Sequence, residues 1–480
     1  MSCPSLSRSL TTAALFFATF SPLHAAPAEE KPNFIIVFCD NLGNGDVKCF
    51  NPDTKHRTPH LDRMASEGRM FTNFYATSGV CTPSRASIMT SCYPRRVNLH
   101  VSDKGTAVLQ PVAPKGLNPD ETTIAEVLKS AGYATMIIGK WHLGDQPPFL
   151  PTRQGFDHFF GIPYSDDMTQ DKNPDVWPPL PLMQDEKVIE APVDRDYLTQ
   201  RYTEESIRFI ENHRDTPFFL YLPQAMPGST KTPYSSPAFR GKSANGEWGD
   251  SVEELDWSMG EILAALKRLN LDEKTLIVWT SDNGAPNRNP PQGSNAPYQG
   301  PGYTTTEGGM RMPTIMRWPG HIPAGTECRA LGSMMDFLPT FADLAGAKLP
   351  QNAIDGHDIR PQILGQEDTA SPYDADGFYF YQLDQLQAVR SGPWKLYLPL
   401  KAKRQNLQAK KSPAPAQLFN VRDDVTEAHE VSADHPDVVK RLQAMAEKAR
   451  AVIGDEDHPG SGQREAGWVD APKALVMQPR

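Results

Sequence analysis

The sequence predicts an α/β protein with a large, mostly parallel β-sheet sandwiched by helices and a smaller α+β C-terminal subdomain. Two observations predict the sheet: short, dense apolar runs are typical of buried parallel strands, and amphipathic helical segments alternate with them along the chain. A third observation, a change to short aromatic segments after about Ser371, predicts the subdomain.

The apolar runs and the helical spacing place these elements in order. Strands are predicted at residues 34–38, 135–138, 218–222 and 276–279, and helices at residues 121–130 and 251–269. In the C-terminal part, residues 377–381 and 394–398 are predicted as strands. Residues 434–452 are predicted as one amphipathic helix with these side chains inward: Val438, Val439, Leu442, Met445 and Ala449.

The first 28 residues have the features of a secretory signal peptide. An apolar stretch at residues 10–20 is followed by the small residues Ala25, Ala26 and Ala28. No later segment reaches 18 apolar residues, so no membrane span is expected. We therefore expect an exported, periplasmic or secreted protein with a signal peptide at 1–28. The main domain is expected at 29–370 and the C-terminal subdomain at 371–480.

Composition excludes some classes of protein and partner. With 48 basic and 58 acidic residues the net charge is −10, which argues against a nucleic-acid partner. Six cysteines in 480 residues exclude a disulfide scaffold. The 45 prolines predict long loops, and we interpret residues 147–151, 174–181 and 286–301 as loops around the rim of a cleft.

Polar pairs follow the predicted strands. Asp40 and Asn41 follow the first strand, Asp282 and Asn283 follow the fourth, and Lys140 with His142 follow the second. Ligands bind beyond the carboxyl ends of strands in open α/β sheets, and carboxylate and amide oxygens suit Ca²⁺ or Mg²⁺. One Asp-Asn pair alone would be better explained as a turn or helix cap, but two pairs at two strand ends favour a site.

Residues 81–85, Cys-Thr-Pro-Ser-Arg, place a cysteine at the start of a predicted helix. Pro83 suits a first helical turn, and the backbone N–H groups there favour an anion, with Arg85 adding a fixed cation. The alternative is a buried structural cysteine, the commonest role of a free Cys. The polar neighbours of Cys81 favour a chemical role.

Together these motifs resemble the type I sulfatases of the alkaline phosphatase-like superfamily. Residues 81–85 match the signature in which cysteine is converted to formylglycine (3-oxoalanine), and residues 139–144 match the second signature. Residues 33–46 and 280–284 resemble the two metal-binding strands. Residues 161–168, GIPYSDDM, are similar to the arylsulfatase A and N-acetylgalactosamine-6-sulfatase branch. The resemblance spans about residues 32–455.

The resemblance implies a sulfatase that hydrolyses a sulfated small molecule or glycan, after maturation by a formylglycine-generating enzyme. One hydroxyl of the hydrated aldehyde would attack sulfur and the alcohol would leave. Loss of a proton from the second hydroxyl would then release sulfate and restore the aldehyde. Arg85 and Lys140 would stabilise charge, His142 would be the base and Ser165 would orient it or the sulfate. The implied ligands of Ca²⁺, with Mg²⁺ also compatible, are Asp40, Asn41, Cys81, Asp282 and Asn283.

The chain departs from the family pattern at three positions. Asn41 stands where the family has a second aspartate, so we expect weaker metal binding. Gly228 and Gly302 stand where the family has a histidine and a lysine that contact sulfate. We expect Lys231, Tyr234 or Tyr303 to replace them in substrate binding, in room that the two glycines leave.

Two other functions stay open at this point. The departures are compatible with a catalytically impaired sulfatase-like protein that binds sulfated glycans. They are also compatible with a phosphodiester or phosphonate hydrolase of the same superfamily, because formylglycine occurs there too. A purely structural role is disfavoured by polar groups that converge from several strand ends.

Overall fold

The computed structural model describes residues 1–2, 31–288, 292–366, 370–405, 408–410 and 413–477. Pro32–Arg480 forms one compact unit. The predicted signal peptide, residues 1–28, lies outside the described residues apart from Met1 and Ser2. Within the described part of the chain, no helix combines the length and the apolar character needed to cross a bilayer.

The strands are numbered in chain order. They are β1 (Asn33–Asp40), β2 (Arg69–Phe71), β3 (Phe74–Tyr75), β4 (Lys115–Gly116), β5 (Ala134–Lys140), β6 (His158–Ile162), β7 (Leu182–Gln184), β8 (Lys187–Glu190), β9 (Phe218–Pro227), β10 (Thr275–Ser281), β11 (Thr314–Arg317), β12 (Thr326–Cys328), β13 (Gly332–Ser333), β14 (Phe378–Gln382), β15 (Gln385–Ser391), β16 (Trp394–Tyr397), β17 (Arg404–Gln405), β18 (Gln408–Lys410), β19 (Gln417–Asn420), β20 (Gly454–Asp455), β21 (His458–Pro459) and β22 (Gly467–Trp468).

The α-helices are numbered in the same way. They are α1 (Pro59–Glu67), α2 (Cys81–Thr90), α3 (Ile124–Ser130), α4 (Leu198–Asn212), α5 (Gly246–Arg268), α6 (Glu307–Met310), α7 (Phe337–Leu344), α8 (Arg360–Ile363), α9 (Tyr373–Asp376) and α10 (Pro436–Val452).

A sheet of ten strands forms the centre of the molecule, in the order β12-β2-β11-β10-β1-β9-β5-β6-β7-β8. Its middle five strands, from β10 to β6, are parallel, and β1 pairs with both β10 and β9. Antiparallel pairs join β11 to β10 and β7 to β6. The prediction of a large, mostly parallel sheet is confirmed, and its four predicted strands are β1, β5, β9 and β10.

Both faces of the sheet are covered by helices. Along β1, Phe34, Ile36 and Phe38 belong to the apolar cluster that contains residues of α2, α3 and α7. The alternate residues Ile35 and Val37 belong to the cluster that contains residues of α1, α4 and α5. A strand buried on both faces needs an uninterrupted apolar run, which explains the sequence pattern of β1.

Two predictions about local structure need correction. The helix predicted at 121–130 begins at Ile124, because the Thr123 hydroxyl accepts the backbone N–H of Glu126 and caps it. The interpretation of residues 147–151 as a rim loop is wrong. That segment contains 3₁₀ turns, and Phe149 is buried, with its carbonyl accepting the Trp141 indole N–H at 2.8 Å.

A smaller antiparallel sheet, β14-β15-β16-β19, forms the C-terminal part with α10 packed on it. The predicted α+β character of this part is confirmed. Of the side chains predicted to face inward on α10, Leu442 and Ala449 are buried, and Ala446 joins them. The other three, Val438, Val439 and Met445, are half-buried against the same cluster.

Candidate active site

The parallel strands bring the predicted polar residues to one edge of the sheet. Asp40 is the last residue of β1, Lys140 is the last residue of β5, and Asp282 follows β10 directly. Because β10, β1, β9 and β5 are consecutive and parallel, their carboxyl ends lie side by side. The backbone N–H of Asn41 donates to Asp282 Oδ1 at 2.9 Å, which joins the ends of β1 and β10.

Cys81 is the first residue of α2, as the sequence predicts. Its side chain is 4% exposed, and Sγ lies 3.4 Å from Asp40 Oδ1 and 4.0 Å from Asn41 Oδ1. Burial raises the pKa of the Cys81 thiol well above its usual value, and the charges of Asp282 and Asp40 raise it further. The unmodified residue is therefore a neutral thiol, which is a poor nucleophile compared with a thiolate.

Two buried cations flank this cysteine. Arg85 Nη2 lies 3.0 Å from Asp282 Oδ2, and Arg85 Nη1 donates to the Lys140 carbonyl at 2.9 Å. Lys140 Nζ bonds Asp40 Oδ2 and donates to Ser165 Oγ at 3.1 Å. Burial would lower the pKa of Lys140, but Asp40 raises it above the usual lysine value, so this ammonium stays charged.

The oxygen atoms around Cys81 fit a divalent cation. Asp40, Cys81 and Asp282 each offer one ligand atom within 4.8 Å of the others. Burial and the neighbouring Asp40 raise the pKa of Asp282 to about 6, and a cation between two such carboxylates would offset their repulsion. Within the part of the chain that the structure describes, the buried Asn283 Oδ1 has no hydrogen-bond partner, so it can act as a further oxygen ligand.

His142 is held as a neutral imidazole. Its Nε2 lies 2.9 Å from the Leu109 carbonyl, which can only accept, so Nε2 carries the proton. Burial lowers the pKa of His142 well below its usual value, and Lys140 and Arg85 lower it further. Among the described residues the buried Nδ1 has no hydrogen-bond partner, so it is available to accept a proton.

A cavity of about 530 Å³ lies beside these residues. Tyr303 and the exposed Lys231, two of the residues predicted to bind substrate, line this cavity, and their substrate-binding role stays a prediction. Ser229 connects the cavity to the site through Asn41. The remaining lining residues are Thr232, Glu247, Pro286, Asn287, Arg288 and Gln292. A larger cavity of about 790 Å³, lined by Cys49, contains none of the predicted site residues.

The expected room at the two glycines is not present. Gly228 has φ +75°, and a Cβ there would lie 2.8 Å from both the Ala225 carbonyl and Asp166 Oδ1. A Cβ at Gly302 would lie 2.1 Å from the Gly284 carbonyl. The surrounding atoms leave no space for a Cβ at either position, so the expectation of room at the two glycines is wrong. The substrate-binding roles expected of Lys231, Tyr234 and Tyr303 stay predictions. Tyr234 is half-buried and packs under the Arg195 guanidinium.

Three residues near the site carried no clear sequence signal. Ser229 accepts from the Asn41 amide at 3.1 Å, and Arg288 donates to the carbonyls of Gly228, at 2.9 Å, and Thr230. Both lie in loops without a readable pattern. Asp166 is fully buried, and neither of its carboxylate oxygens has a hydrogen-bond partner among the residues that the structure describes. Burial raises the pKa of Asp166 to about 7. The position of Asp166 next to Ser165, in residues 161–168, is the one sequence feature that indicates its place near the site.

Comparisons with known proteins agree with the geometry of the site. Residues 32–347 match the family model described as Sulfatase, and residues 304–451 match the model described as N-sulphoglucosamine sulphohydrolase, C-terminal. N-acetylgalactosamine-6-sulfatase of Mus musculus is 38% identical over 392 residues, covering 78% of this chain and 74% of that protein. Arylsulfatase A of Bos taurus is 35% identical over 482 residues, covering 92% of each.

A solved structure has the same fold. The crystal structure of the PsFucS1 sulfatase from Pseudoalteromonas sp. superposes with a TM-score of 0.76 at 25% identity, covering 88% of this chain and 91% of that one. The large mixed sheet with its small antiparallel companion is therefore the alkaline phosphatase-like fold that the sequence resemblance implies.

Proposed function

The chain belongs to the type I sulfatase family, and from this membership we propose that it hydrolyses a sulfate ester through a formylglycine made from Cys81 and a bound divalent cation, with Ca²⁺ as first choice. The observation that carries the proposal is the position of Cys81. It starts a helix within 3.4 Å of Asp40 Oδ1, at the edge where Arg85 and Lys140 supply positive charge.

The residues that would hold the cation are Asp40, Asn41, residue 81, Asp282 and Asn283. The hydrated aldehyde would supply one hydroxyl as the nucleophile that displaces the alcohol from sulfur, and a second whose loss of a proton would expel sulfate and regenerate the aldehyde. The cation would supply positive charge beside them. With two carboxylates and two amides, this ligand set carries less negative charge than one with three carboxylates, which predicts a comparatively weak site.

Arg85 and Lys140 would bind the sulfate oxygens. Both side chains are fully buried and their directions are fixed by bonds to Asp282, Asp40 and Ser165. Fixed cations in a site that excludes water stabilise developing negative charge without reorganisation. Ser165 then acts through Lys140, because its hydroxyl accepts a hydrogen bond from that ammonium group.

His142 and Lys231 carry out the two proton transfers. The free Nδ1 of neutral His142 accepts the proton whose loss releases sulfate. Lys231, on the cavity wall, donates a proton to the departing alcohol, in the place of the family histidine that is absent at Gly228. Each such transfer typically contributes about 10²–10⁴-fold. Tyr303, which lies 3.4 Å from Ser229 at the cavity wall, forms a surface for the organic part of the substrate.

We favour a carbohydrate sulfate as substrate and retain an aryl sulfate as the assay compound. The name of the relative N-acetylgalactosamine-6-sulfatase specifies a sugar sulfate as its substrate. The side chains around the 530 Å³ cavity include Lys231, Glu247 and Arg288, which can hydrogen-bond sugar hydroxyls. The same proposal includes maturation by a formylglycine-generating enzyme, export by the segment at residues 1–28, a catalytic domain at 29–370 and a C-terminal subdomain at 371–480.

Mass spectrometry of the peptide that contains residue 81 tests the proposal, combined with sulfate release from an aryl sulfate. Protein co-expressed with the maturation enzyme should carry the aldehyde and release sulfate, whereas Cys81→Ala should do neither. A phosphate ester and a phosphonate ester are assayed in parallel. An unmodified cysteine in protein from the native host, or faster release of phosphate than of sulfate, would contradict the proposal.

A second candidate function is binding of sulfated glycans by an impaired enzyme. The specific observation behind it is the closed backbone at Gly228 and Gly302, which removes two sulfate contacts. This candidate predicts that matured protein binds sulfated oligosaccharides but releases no sulfate from them. Binding measured by calorimetry together with sulfate release on the same oligosaccharide separates the two functions.

A further inference from the structure

The side chain of Asn41 is held by different partners on its two sides. Its Nδ2 donates to Ser229 Oγ at 3.1 Å. Its Oδ1 accepts from Asn283 Nδ2 at 2.6 Å and lies 4.0 Å from Cys81 Sγ. The residue is fully buried, so these protein atoms determine which way the amide points.

The direction of this amide decides whether Asn41 can bind a cation. A carboxylate offers an oxygen on both sides, so its rotation changes little. An amide offers an oxygen on one side and an NH₂ group, which has no acceptor capacity, on the other. If the amide of Asn41 turned over, its NH₂ group would face Cys81 and Asn283, and the ligand oxygen would point away from them.

The loop that carries Ser229 is fixed on both sides of that residue. Before it, the Gly228 N–H donates to the Asp40 carbonyl at 3.2 Å. Arg288 donates to the Gly228 carbonyl at 2.9 Å and to the Thr230 carbonyl after it, while its guanidinium lies over the Trp248 ring. Ser229 Oγ is therefore presented at a defined place beside Asn41.

We propose that Ser229 is a positioning residue that keeps the Asn41 oxygen turned toward Cys81 and Asn283, so that a neutral amide can serve as a cation ligand at this place. The inference rests on the proposed function, because it takes Asn41 as a ligand. It adds that this role of Asn41 depends on a hydroxyl in a separate loop. Replacing Asn41 with a residue that has two equivalent oxygens should remove that dependence.

A double-mutant cycle for calcium binding tests this. Calorimetry measures the Kd of Ca²⁺ for the matured full chain, Ser229→Ala, Asn41→Asp and the double variant. We expect Ser229→Ala to weaken calcium binding about tenfold in the parent, as two amide orientations then compete, and by less than about twofold in the Asn41→Asp background. Ser229→Thr, which keeps the hydroxyl, should restore binding, and Thr230→Ala in the same loop should have no effect.

The outcomes separate this inference from the proposed function. If the parent binds calcium and Ser229→Ala binds it equally well, the positioning role is overturned while the proposed function stands. If Ser229→Ala weakens binding equally in the parent and in the Asn41→Asp background, Ser229 acts only on the loop, and the inference is overturned. If the parent binds no divalent cation, both fail. Circular dichroism of all variants confirms that each is folded.

Discussion

His142 donates its Nε2 proton to the Leu109 carbonyl across 2.9 Å, and this bond leaves Nδ1 as the only basic atom of a buried, neutral ring. The backbone of His142 has φ +60°, in the left-handed region, so the ring is presented from a strained position. The histidine therefore has a fixed tautomer before any substrate arrives.

The first prediction concerns this fixed base. His142→Ala should lower kcat by about 10²–10⁴-fold, because the proton that must leave before sulfate release has no acceptor. Alcohol release in the first turnover should be affected less, so stopped-flow measurements should show a burst of alcohol product. His321→Ala, at an exposed position, is the control. A variant that loses the fast alcohol step and sulfate release to the same extent would contradict the role of His142 as this base.

The second prediction concerns the proton for the leaving group. Lys231→Met should lower kcat/KM by about 10²-fold for an alkyl or sugar sulfate, which leaves as a strongly basic alkoxide. The loss should be small for a nitrophenyl sulfate, whose leaving group needs no proton. Lys242→Met, at another exposed lysine, should leave both rates unchanged. Equal losses for both substrates would show that Lys231 contributes to binding and not to proton transfer.

The third prediction concerns the closed backbone at Gly228. Gly228→His should lower stability by more than about 2 kcal/mol and should not raise activity, because the left-handed backbone and the close contacts to Asp166 and Ala225 act together. Gly241→His is a matched control: φ of Gly241 is +73°, and apart from its two chain neighbours no described residue has an atom within 4 Å of a Cβ added there.

The control separates the two contributions to that loss. Gly241→His should lower the free energy of unfolding by only about 1 kcal/mol, because a side chain there strains the left-handed backbone but its Cβ makes no close contact with another described residue. Urea denaturation measures both variants. If Gly228→His were as stable as Gly241→His, or raised turnover, the loop would have room for the family histidine after all.

The fourth prediction concerns acid sensitivity. Burial lowers the pKa of His100 well below 6.5, and Arg95 and Lys115 lower it further. Below pH 6.5 His100 therefore takes up a proton in the unfolded chain but stays neutral in the folded chain. For this reason His100 makes the free energy of unfolding fall as the pH falls through 6.5. The contribution is about 1.4 kcal/mol per pH unit.

Urea denaturation between pH 7.5 and 5 measures this contribution. His100→Gln keeps an acceptor for Arg95 but cannot take up a proton. Its stability relative to the parent should rise by about 1.4 kcal/mol per pH unit below pH 6.5. His458→Gln, at an exposed position, should follow the parent. Parallel curves for His100→Gln and the parent would contradict the prediction.

The central sheet and the residues at its edge could be predicted because both depend on patterns within short stretches of sequence. A strand buried on two faces must be apolar throughout, as in β1 and β9, and the chain direction of parallel strands then places their last residues together. Asp40, Lys140 and Asp282 are found in one cluster for this reason. The start of α2 at Cys81 followed in the same way from Pro83 and its polar neighbours.

What could not be predicted depends on contacts between distant segments. Ser229 meets Asn41 across 188 positions of sequence, and no local pattern encodes that distance. The space at Gly302 was misjudged for the same reason, since the carbonyl that fills it belongs to Gly284. The proline-rich pattern of residues 147–151 predicts a loop at the rim of a cleft, whereas Phe149 packs against the glycines of neighbouring segments.

The ion pair between Lys395 of β16 and Glu307 of α6 has a consequence for protein engineering. Its two charged atoms lie 2.8 Å apart, and both side chains are completely buried. Breaking such a pair from one side typically destabilises a protein by about 3–5 kcal/mol. The C-terminal sheet is therefore a poor choice for truncation or for exchange between relatives. A shortened protein would keep Glu307, four residues from Tyr303, with Arg311 and Tyr75 as partners but without the Lys395 ammonium.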